Sequence, residues 1–379
     1  MQKPNKYAIG LLSGTSIDGI DAVLADFSSA QPQIVAVHSH PFPEELQAEL
    51  KQLAVEINGP SLMLTDIMRL HGELSIVFAD AVHALLSQNR CPHELIAGIG
   101  FHGQTVGHHP EAELPWSLQL GDANRLSLLT GLSVVSGFRS MDIAAGGQGA
   151  PLAPLLHREI FQASDTRTAV VNIGGIANLS QADGSGFDTG PGNCLLDAWV
   201  LQNKNQNYDP NGSWAASGQA NENLITTWLQ DPYFQLSPPK STGTDYFNLN
   251  WLAQYTPLDS IPAADIQASL SELTARSIAA SLEFSLTSSL DSKRDITIAK
   301  LLVCGGGAHN TDLMMRLQNL LPDVQVSTTA VAGVDPDWVE GLLFAWLGWQ
   351  RLNNQAVDTR KITGAEKPLL LGAIYQAVA

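Results

Sequence analysis

Gly10-Leu11-Leu12-Ser13-Gly14-Thr15-Ser16-Ile17-Asp18-Gly19-Ile20-Asp21 is the stretch on which the reading of this fold turns. It links two apolar runs, Tyr7 to Leu12 and Ile20 to Phe27, and carries three glycines, three hydroxyls and two carboxylates. Small residues let backbone N–H groups approach phosphate oxygens, hydroxyls add donors, and carboxylates can hold a divalent cation through water. An ordinary hairpin that uses Asp and Gly for its turn accounts for the same residues.

Working outward, a third run at Gln33 to His38 completes an antiparallel meander. Amphipathic spacing predicts helices over Glu44 to Glu56 and Leu64 to Gln88, and the apolar run Leu95 to Phe101 reads as a strand returning parallel to the same sheet. From about Thr166 the plan repeats: a strand Ala169 to Ile173, a Gly174-Gly175 turn, a strand Ile176 to Ser180, and a shorter strand reaching Phe187. A helix is expected from Asn193 as N-cap, then a long one from about Ala264 to Leu290, a strand Ile298 to Cys304, and a helix Asp337 to Leu352 capped by Asp335 or Asp337. The expectation is an α/β chain with two βββαβ-type domains around a central cleft: a first lobe over 1–164, joined by 335–379, and a second over 165–334.

A chain of 379 residues exceeds what one core usually serves. With 20 Lys and Arg against 37 Asp and Glu, the formal charge of −17 repels nucleic acid and anionic membranes. It also repels polyphosphates, so a nucleotide would have to be held by local backbone donors and a cation. Cys91, Cys194 and Cys304 are odd in number and in no metal-ligand spacing, which points to a reducing compartment. No signal peptide and no run near ~18 apolar residues is seen, so a cytoplasmic protein is expected.

Two further turns resemble the first in chemistry. Asn172-Ile173-Gly174-Gly175-Ile176-Ala177-Asn178 is one; Val303-Cys304-Gly305-Gly306-Gly307-Ala308-His309-Asn310, after a strand and before a helix, is the other. Three consecutive glycines suit close backbone approach to a flat ligand such as adenine-ribose. Gly186 to Asn193 places Asp188 before a stiff Thr-Gly-Pro-Gly loop, where it could serve as a general base or simply form an Asx-turn. Phe138 to Leu152 sets Arg139, Asp142 and Gln148 among small residues, as an interdomain substrate loop or a linker would. His102 and Gln104, in Phe101 to Thr105, offer sugar-hydroxyl ligands at a strand end, although a histidine that caps a turn accounts for His102 as well, and Glu340 interrupts an apolar helix, either solvated on one face or aimed at the cleft. The literal Gly98, Gly100, Gly103 spacing lacks a following helix, His108 and His109 lack a third zinc ligand, and no P-loop string exists.

Three Gly-rich turns in the order first phosphate loop, second phosphate loop and adenosine loop resemble the sugar kinase, Hsp70 and actin superfamily. The strings at Ser13 to Asp21, Phe101 to Thr105, Phe138 to Pro151, Asn172 to Asn178, Phe187 to Asn193, Pro239 to Gly243 and Val303 to Asn310 resemble the anhydro-N-acetylmuramic acid kinases in particular. That resemblance implies the two-lobed actin-like (ribonuclease H-like) fold and a reaction in which ATP, water and 1,6-anhydro-N-acetylmuramic acid give N-acetylmuramic acid 6-phosphate and ADP during cell-wall recycling. It implies Asp188 as the base, and an ATP site of Gly14, Thr15, Ser16, Ile17, Asp18, Gly19, Ile20, Asp21, Gly174, Gly175, Asn178, Gly305, Gly306, Gly307 and Asn310. His102, Gln104, Arg139, Asp142 and Glu340 are the expected sugar ligands, Asp18 and Asp21 the candidate Mg²⁺ ligands, and a homodimer the expected assembly. Many superfamily members carry an aspartate where this chain has Leu12, a departure that the muramic acid kinases share. A conventional hexose or amino-sugar kinase, or an actin-like or Hsp70-like switch, are the competing readings.

Overall fold

The computed structural model describes residues 5–14, 16–56, 63–89, 91–162, 167–181, 183–255, 260–288 and 298–377. Its strands are β1 Tyr7–Ser13, β2 Ile20–Asp26, β3 Gln33–His40, β4 Ile96–His109, β5 Trp116–Leu120, β6 Val134–Ser136, β7 Thr168–Ile173, β8 Ile176–Ser180, β9 Gly186–Pro191, β10 Lys300–Cys304, β11 Gln325–Thr328 and β12 Ala373–Tyr375. They form two sheets, ordered β12-β6-β4-β1-β2-β3, with β5 on β4, and β11-β10-β7-β8-β9. In the first, β1, β2 and β3 are an antiparallel meander, and β4 and then β6 continue from β1 in parallel. The second repeats this: β7, β8 and β9 form the meander, and β10 and then β11 run parallel to β7. The duplicated plan expected from the Gly-turn pattern is the observed topology.

By its internal contacts the chain divides into two units, Met1–Ala150 with Trp338–Ala379, and Pro151–Asp337. The boundary falls before the helix Ala153–His157 because that helix packs on β7 and β8. In the first unit the helix Leu64–Asn89 buries Leu70, Leu74, Phe78 and Leu85 against Ile9, Leu11, Ile20 and Leu24 of β1 and β2. The helix Val339–Leu352 lies on the other face, flush with the sheet. A Cβ on Gly10 would collide with the Gly341 carbonyl oxygen, and one on Gly100 with that of Phe344. In the second unit Val171, Ile173, Leu179, Leu301 and Val303 pack against Ile278, Leu282, Leu313 and Leu317 of the helices Ala263–Ser288 and Thr311–Leu320.

Several local expectations are corrected. β4 runs on to His109, so His102 and Gln104 lie within the strand, not at its end. Phe138–Ala144 is a helix rather than a loop. Asn193 has helical φ/ψ and no side-chain cap; its amide instead donates to the Ile173 carbonyl at 3.2 Å. Val339–Leu352 also has no side-chain cap, since Asp335 accepts from Asp337 N in the turn before it. The ends expected at Thr166 and Leu290 fall outside the described residues.

Candidate active site

The first Gly turn is pinned through Ile17. Its side chain is 2% exposed within the core, yet its φ is +53°, a left-handed conformation that a β-branched residue adopts only where the surroundings impose it. Its N–H donates to the Gly14 carbonyl at 3.2 Å, and its own carbonyl accepts from Gln47 Nε2 at 2.7 Å. Ser16 Oγ donates to Asp18 Oδ1 at 2.9 Å, and both side chains are exposed. Ile20 begins β2 in the core, and Asp21 follows it, half-buried, paired with Leu12 across the hairpin. Thr15 lies outside the described residues.

Beside the turn, Ser13 on β1 is in register with Gln104 on β4. Gln104 donates to the Gly14 carbonyl at 3.2 Å and to that of Thr105 at 3.1 Å. Ser13 Oγ and Gln104 Oε1 are both buried and have no hydrogen-bond partner among the described residues. Buried polar atoms in that condition are rare in native folds and suit a polar ligand or ordered water.

His102 is the extra residue of a bulge, since Leu11 pairs with Phe101 and Leu12 with Gly103, whose φ is +81°. Such a bulge re-aims a side chain out of the strand alternation. His102 Nδ1–H donates to the Gly103 carbonyl at 3.0 Å, which leaves Nε2 to accept from Arg139 Nε at 2.9 Å. Burial first, and then the Arg139 charge, hold the imidazole neutral, with its pKa lowered to about 3. Arg139 also donates from Nη1 to the Gly149 carbonyl at 2.9 Å. With both ring nitrogens engaged, His102 orients Arg139 rather than presenting an edge of its own.

Asp142, expected among the sugar ligands, is turned inward. Its side chain is wholly buried and accepts from Gly149 N and from Thr363 Oγ1, both at 2.8 Å, so it shapes the Gly146 to Gly149 loop. Glu340 is half-buried in the first turn of Val339–Leu352.

In the second unit a row of side chains crosses the sheet in register: Cys304 on β10, Asn172 on β7, Asn178 on β8 and Asp188 on β9. Thr189 is the extra residue of a bulge in β9, next to Asp188. Asp188 sits within the strand, 5% exposed, and is clamped from one segment. Thr242 N donates to its Oδ2 at 3.0 Å, its own N–H donates to the Lys240 carbonyl at 3.1 Å, and Tyr233 Oη donates to its carbonyl at 2.7 Å. The partners are remote in sequence, so this is no Asx-turn. Asn178 Oδ1 is buried and has no partner among the described residues.

The glycines of the third turn act mainly on the protein itself. Gly305, with φ +75°, is pressed on Asn172 Oδ1, and Gly307 on the Ile173 side chain, while a Cβ on Gly306 would meet nothing nearer than Asn193 Nδ2 at 3.6 Å. Close approach to a ligand is therefore needed for at most one of the three. Asn310 Oδ1 caps the helix Thr311–Leu320 through Leu313 N at 3.0 Å. The carbonyls of Gly174 and Gly175 are taken by the N–H groups of Asn193, and of Gly192 and Cys194, which fixes the second turn against the start of Cys194–Lys204.

The family profile described as anhydro-N-acetylmuramic acid kinase matches residues 6–377. The chain belongs to the anhydro-N-acetylmuramic acid kinase family. Curated members of this kinase family include one from Shewanella denitrificans, 45% identical with both chains covered in full. Another, from Coxiella burnetii, is 43% identical over 98% of each chain. The likeness spans both units, so the Gly turns and the Asp188 strand of this kinase-family chain all lie within it.

Tyr233, Lys240 and Thr242 surround Asp188 in this kinase-family chain and are not among the expected site residues. The only signal was the string Lys240-Ser241-Thr242-Gly243, because nothing local pairs it with a strand some fifty residues earlier. Among the described residues no group of three or more His, Cys, Asp or Glu could hold a metal ion.

Proposed function

We propose that this chain transfers the γ-phosphoryl group of ATP to 1,6-anhydro-N-acetylmuramic acid while water opens the anhydro bond, giving N-acetylmuramic acid 6-phosphate and ADP. The observation that carries this reading is Asp188: a buried carboxylate, aimed by a backbone donor, on a bulged strand opposite Asn178, whose buried Oδ1 has no partner among the described residues, in a chain of this family. Asp188 takes a proton from water as the water oxygen bonds to the anomeric carbon. The bond from that carbon to O6 breaks, and its electron pair stays on O6. O6 then attacks the γ-phosphorus and ADP leaves. One well-placed carboxylate meets the need of the hydrolytic step, and phosphoryl transfer asks mainly for positioning and charge neutralisation.

The backbone of the first Gly turn, with Ser13, Ser16 and Gln104, is the proposed phosphate holder, and the turns at Gly174 and Gly306 complete the nucleotide contacts. Arg139, aimed by His102, is the cation suited to the lactyl carboxylate of muramic acid, and Glu340 is a further sugar ligand. Asp142 is not among these contacts. Asp18 and Asp21 are the candidate Mg²⁺ residues; a set of so few carboxylates fits a cation held largely by ATP oxygens, which when bound would neutralise phosphate charge. Use of this substrate would make the protein part of cell-wall recycling, and a cytoplasmic homodimer is the form that its family suggests. Three cysteines that form no disulfide among the described residues agree with a reducing compartment, and no helix among those residues is long and apolar enough to cross a membrane.

The test is mass spectrometry of the product formed from Mg·ATP and 1,6-anhydro-N-acetylmuramic acid in ¹⁸O-labelled water. Label at the anomeric oxygen of a phosphorylated muramic acid is expected; phosphorylation of a free amino sugar without label would put a conventional sugar kinase in its place. Asp188→Asn is expected to lower kcat by at least ~10²–10⁴, the usual contribution of a general base, with ATP binding retained.

A further inference from the structure

The mechanism leaves unused a buried cation beside its base. Lys240 is 7% exposed, and a lysine almost never enters an interior unless it is paired. Its Nζ donates to the Tyr233 carbonyl at 3.3 Å and lies 4.7 Å from the centroid of the Tyr233 ring and 6.0 Å from that of Phe187. Phe187 precedes Asp188, Tyr233 donates to the Asp188 carbonyl, and the Lys240 carbonyl accepts from Asp188 N. A neutral amide could donate to one carbonyl without the cost of burying a charge. A buried ammonium answers to an opposite charge, and the carboxylate this segment surrounds is Asp188.

We propose that Lys240 is a positioning residue: its buried ammonium is the counter-charge that keeps the Asp188 carboxylate ionised, while the Lys240 to Thr242 backbone aims it. This rests on the reading of Asp188 as the base. The lysine reports the same coupling from its side: burial, the larger effect, holds its pKa below the ordinary value, and the Asp188 charge opposes burial. Tyr233 moves in the direction expected beside an anion, its phenol pushed up by burial and then by Asp188, so it stays neutral.

Among the described residues, the other elements around β9 carry the following groups: His157, on the helix whose Pro154 abuts Gly186, bonds Ser180 Oγ at 2.7 Å and is held neutral by burial. Asn178, opposite on β8, is uncharged. The helix Ala263–Ser288 presents Thr274, which donates to the Pro191 and Gly192 carbonyls, and Ser277 near Gly190. That helix's Arg276 is paired with Glu222 and Glu272, and Glu272 also with Arg316. Asp231, before the turn Pro232–Gln235, has its two oxygens on Tyr233 N, Tyr246, Trp251 and Tyr255, and Asp245 is exposed.

The experiment is the pH profile of kcat/KM for the anhydro sugar under saturating Mg·ATP in the wild type, Lys240→Met, Lys240→Gln and Lys240→Arg, with Asp188→Asn alongside and a thermal melt of each. Removing the positive charge makes Asp188 harder to ionise, so the acid limb should move to higher pH in the Met and Gln variants. A shift of about one unit lowers the rate on that limb about tenfold. The titration of ATP is common to all variants and does not move the limb between them. Lys240→Arg, which keeps the charge, should return the limb to the wild-type position. An unmoved limb in either folded neutral variant, with the loss equal at every pH, would show Lys240 to be structural and overturn the proposal. If Lys240→Met does not fold, Lys240→Gln against Lys240→Arg decides. Near wild-type turnover by Asp188→Asn would instead remove the base assignment, whatever Lys240 does.

Discussion

Arg139 shows how a single side chain is aimed. Its Nε–H needs an acceptor, and His102 supplies one only while Nε2 is unprotonated, which burial and the guanidinium itself enforce. His102→Phe would keep much of the packing on Phe344, where the ring centroids are 4.5 Å apart, but leave a charged donor unpaired. A hydrogen bond to a charged group is worth ~1.5–3 kcal/mol, so we expect KM for the sugar to rise roughly 10- to 100-fold with KM for ATP little changed, measured by steady-state kinetics in each substrate. Asp231 is the structural counterpart. Burial alone would raise its carboxyl, but Trp251, Tyr233 N–H, Tyr255 and Tyr246 outweigh burial and hold the pKa below the ordinary value. Asp231→Ala should destabilise the fold by on the order of 3 kcal/mol, read as a lowered urea midpoint. Asp188 was visible in the sequence because glycines and a proline flank it. Lys240 and Asp231 were not, since their partners are assembled from distant segments.

At the scale of elements, the glycines separate into two kinds that sequence cannot tell apart. Gly10 and Gly100 let the helix Val339–Leu352 lie backbone to backbone on β1 and β4, and neither backbone can retreat without parting helix from sheet. Gly100→Ala should therefore cost at least ~3 kcal/mol and yield little folded protein, as overpacking against rigid backbone does. At Gly14 a Cβ would meet only Ser16 Oγ, at 3.5 Å. Gly14→Ala should melt within a few degrees of wild type, yet if the turn holds phosphates it should weaken ATP binding several-fold by calorimetry. An unchanged ATP affinity in that folded variant would remove the first turn from the nucleotide site. The third turn repeats the contrast, with Gly307 pressed on Ile173 and Gly306 open.

Among the described residues five histidines have lowered pKa values, His38 and His71 modestly, the buried His102 and His157 to about 3 and the half-buried His108 to about 4, by burial first, with Arg139 adding to the effect at His102 and His108. Because the folded values lie below the ordinary ~6.5, the unfolded chain takes up protons first as pH falls. The stabilisation is complete above pH ~6.5 and drains away from there down to the folded values, by at most ~1.4 kcal/mol per pH unit for each histidine. Thermal melts from pH 8 to 5 should be level down to about 6.5 and lose stability below it, and His157→Gln should lessen that loss; a flat profile in the wild type would contradict neutral burial. The sequence by itself determined the class of fold, the duplicated meander and the places of the Gly turns, because a strand period of two and the steric freedom of glycine are local properties. It also singled out Asp188 and Arg139, where chemistry stands among residues too small to form a core. Only tertiary structure decided that Asp142 faces inward, that His102 serves Arg139, that two of the three consecutive glycines serve packing, and that a buried lysine stands beside Asp188. Those outcomes depend on which remote backbone and charge a side chain meets, and no spacing along the chain encodes that.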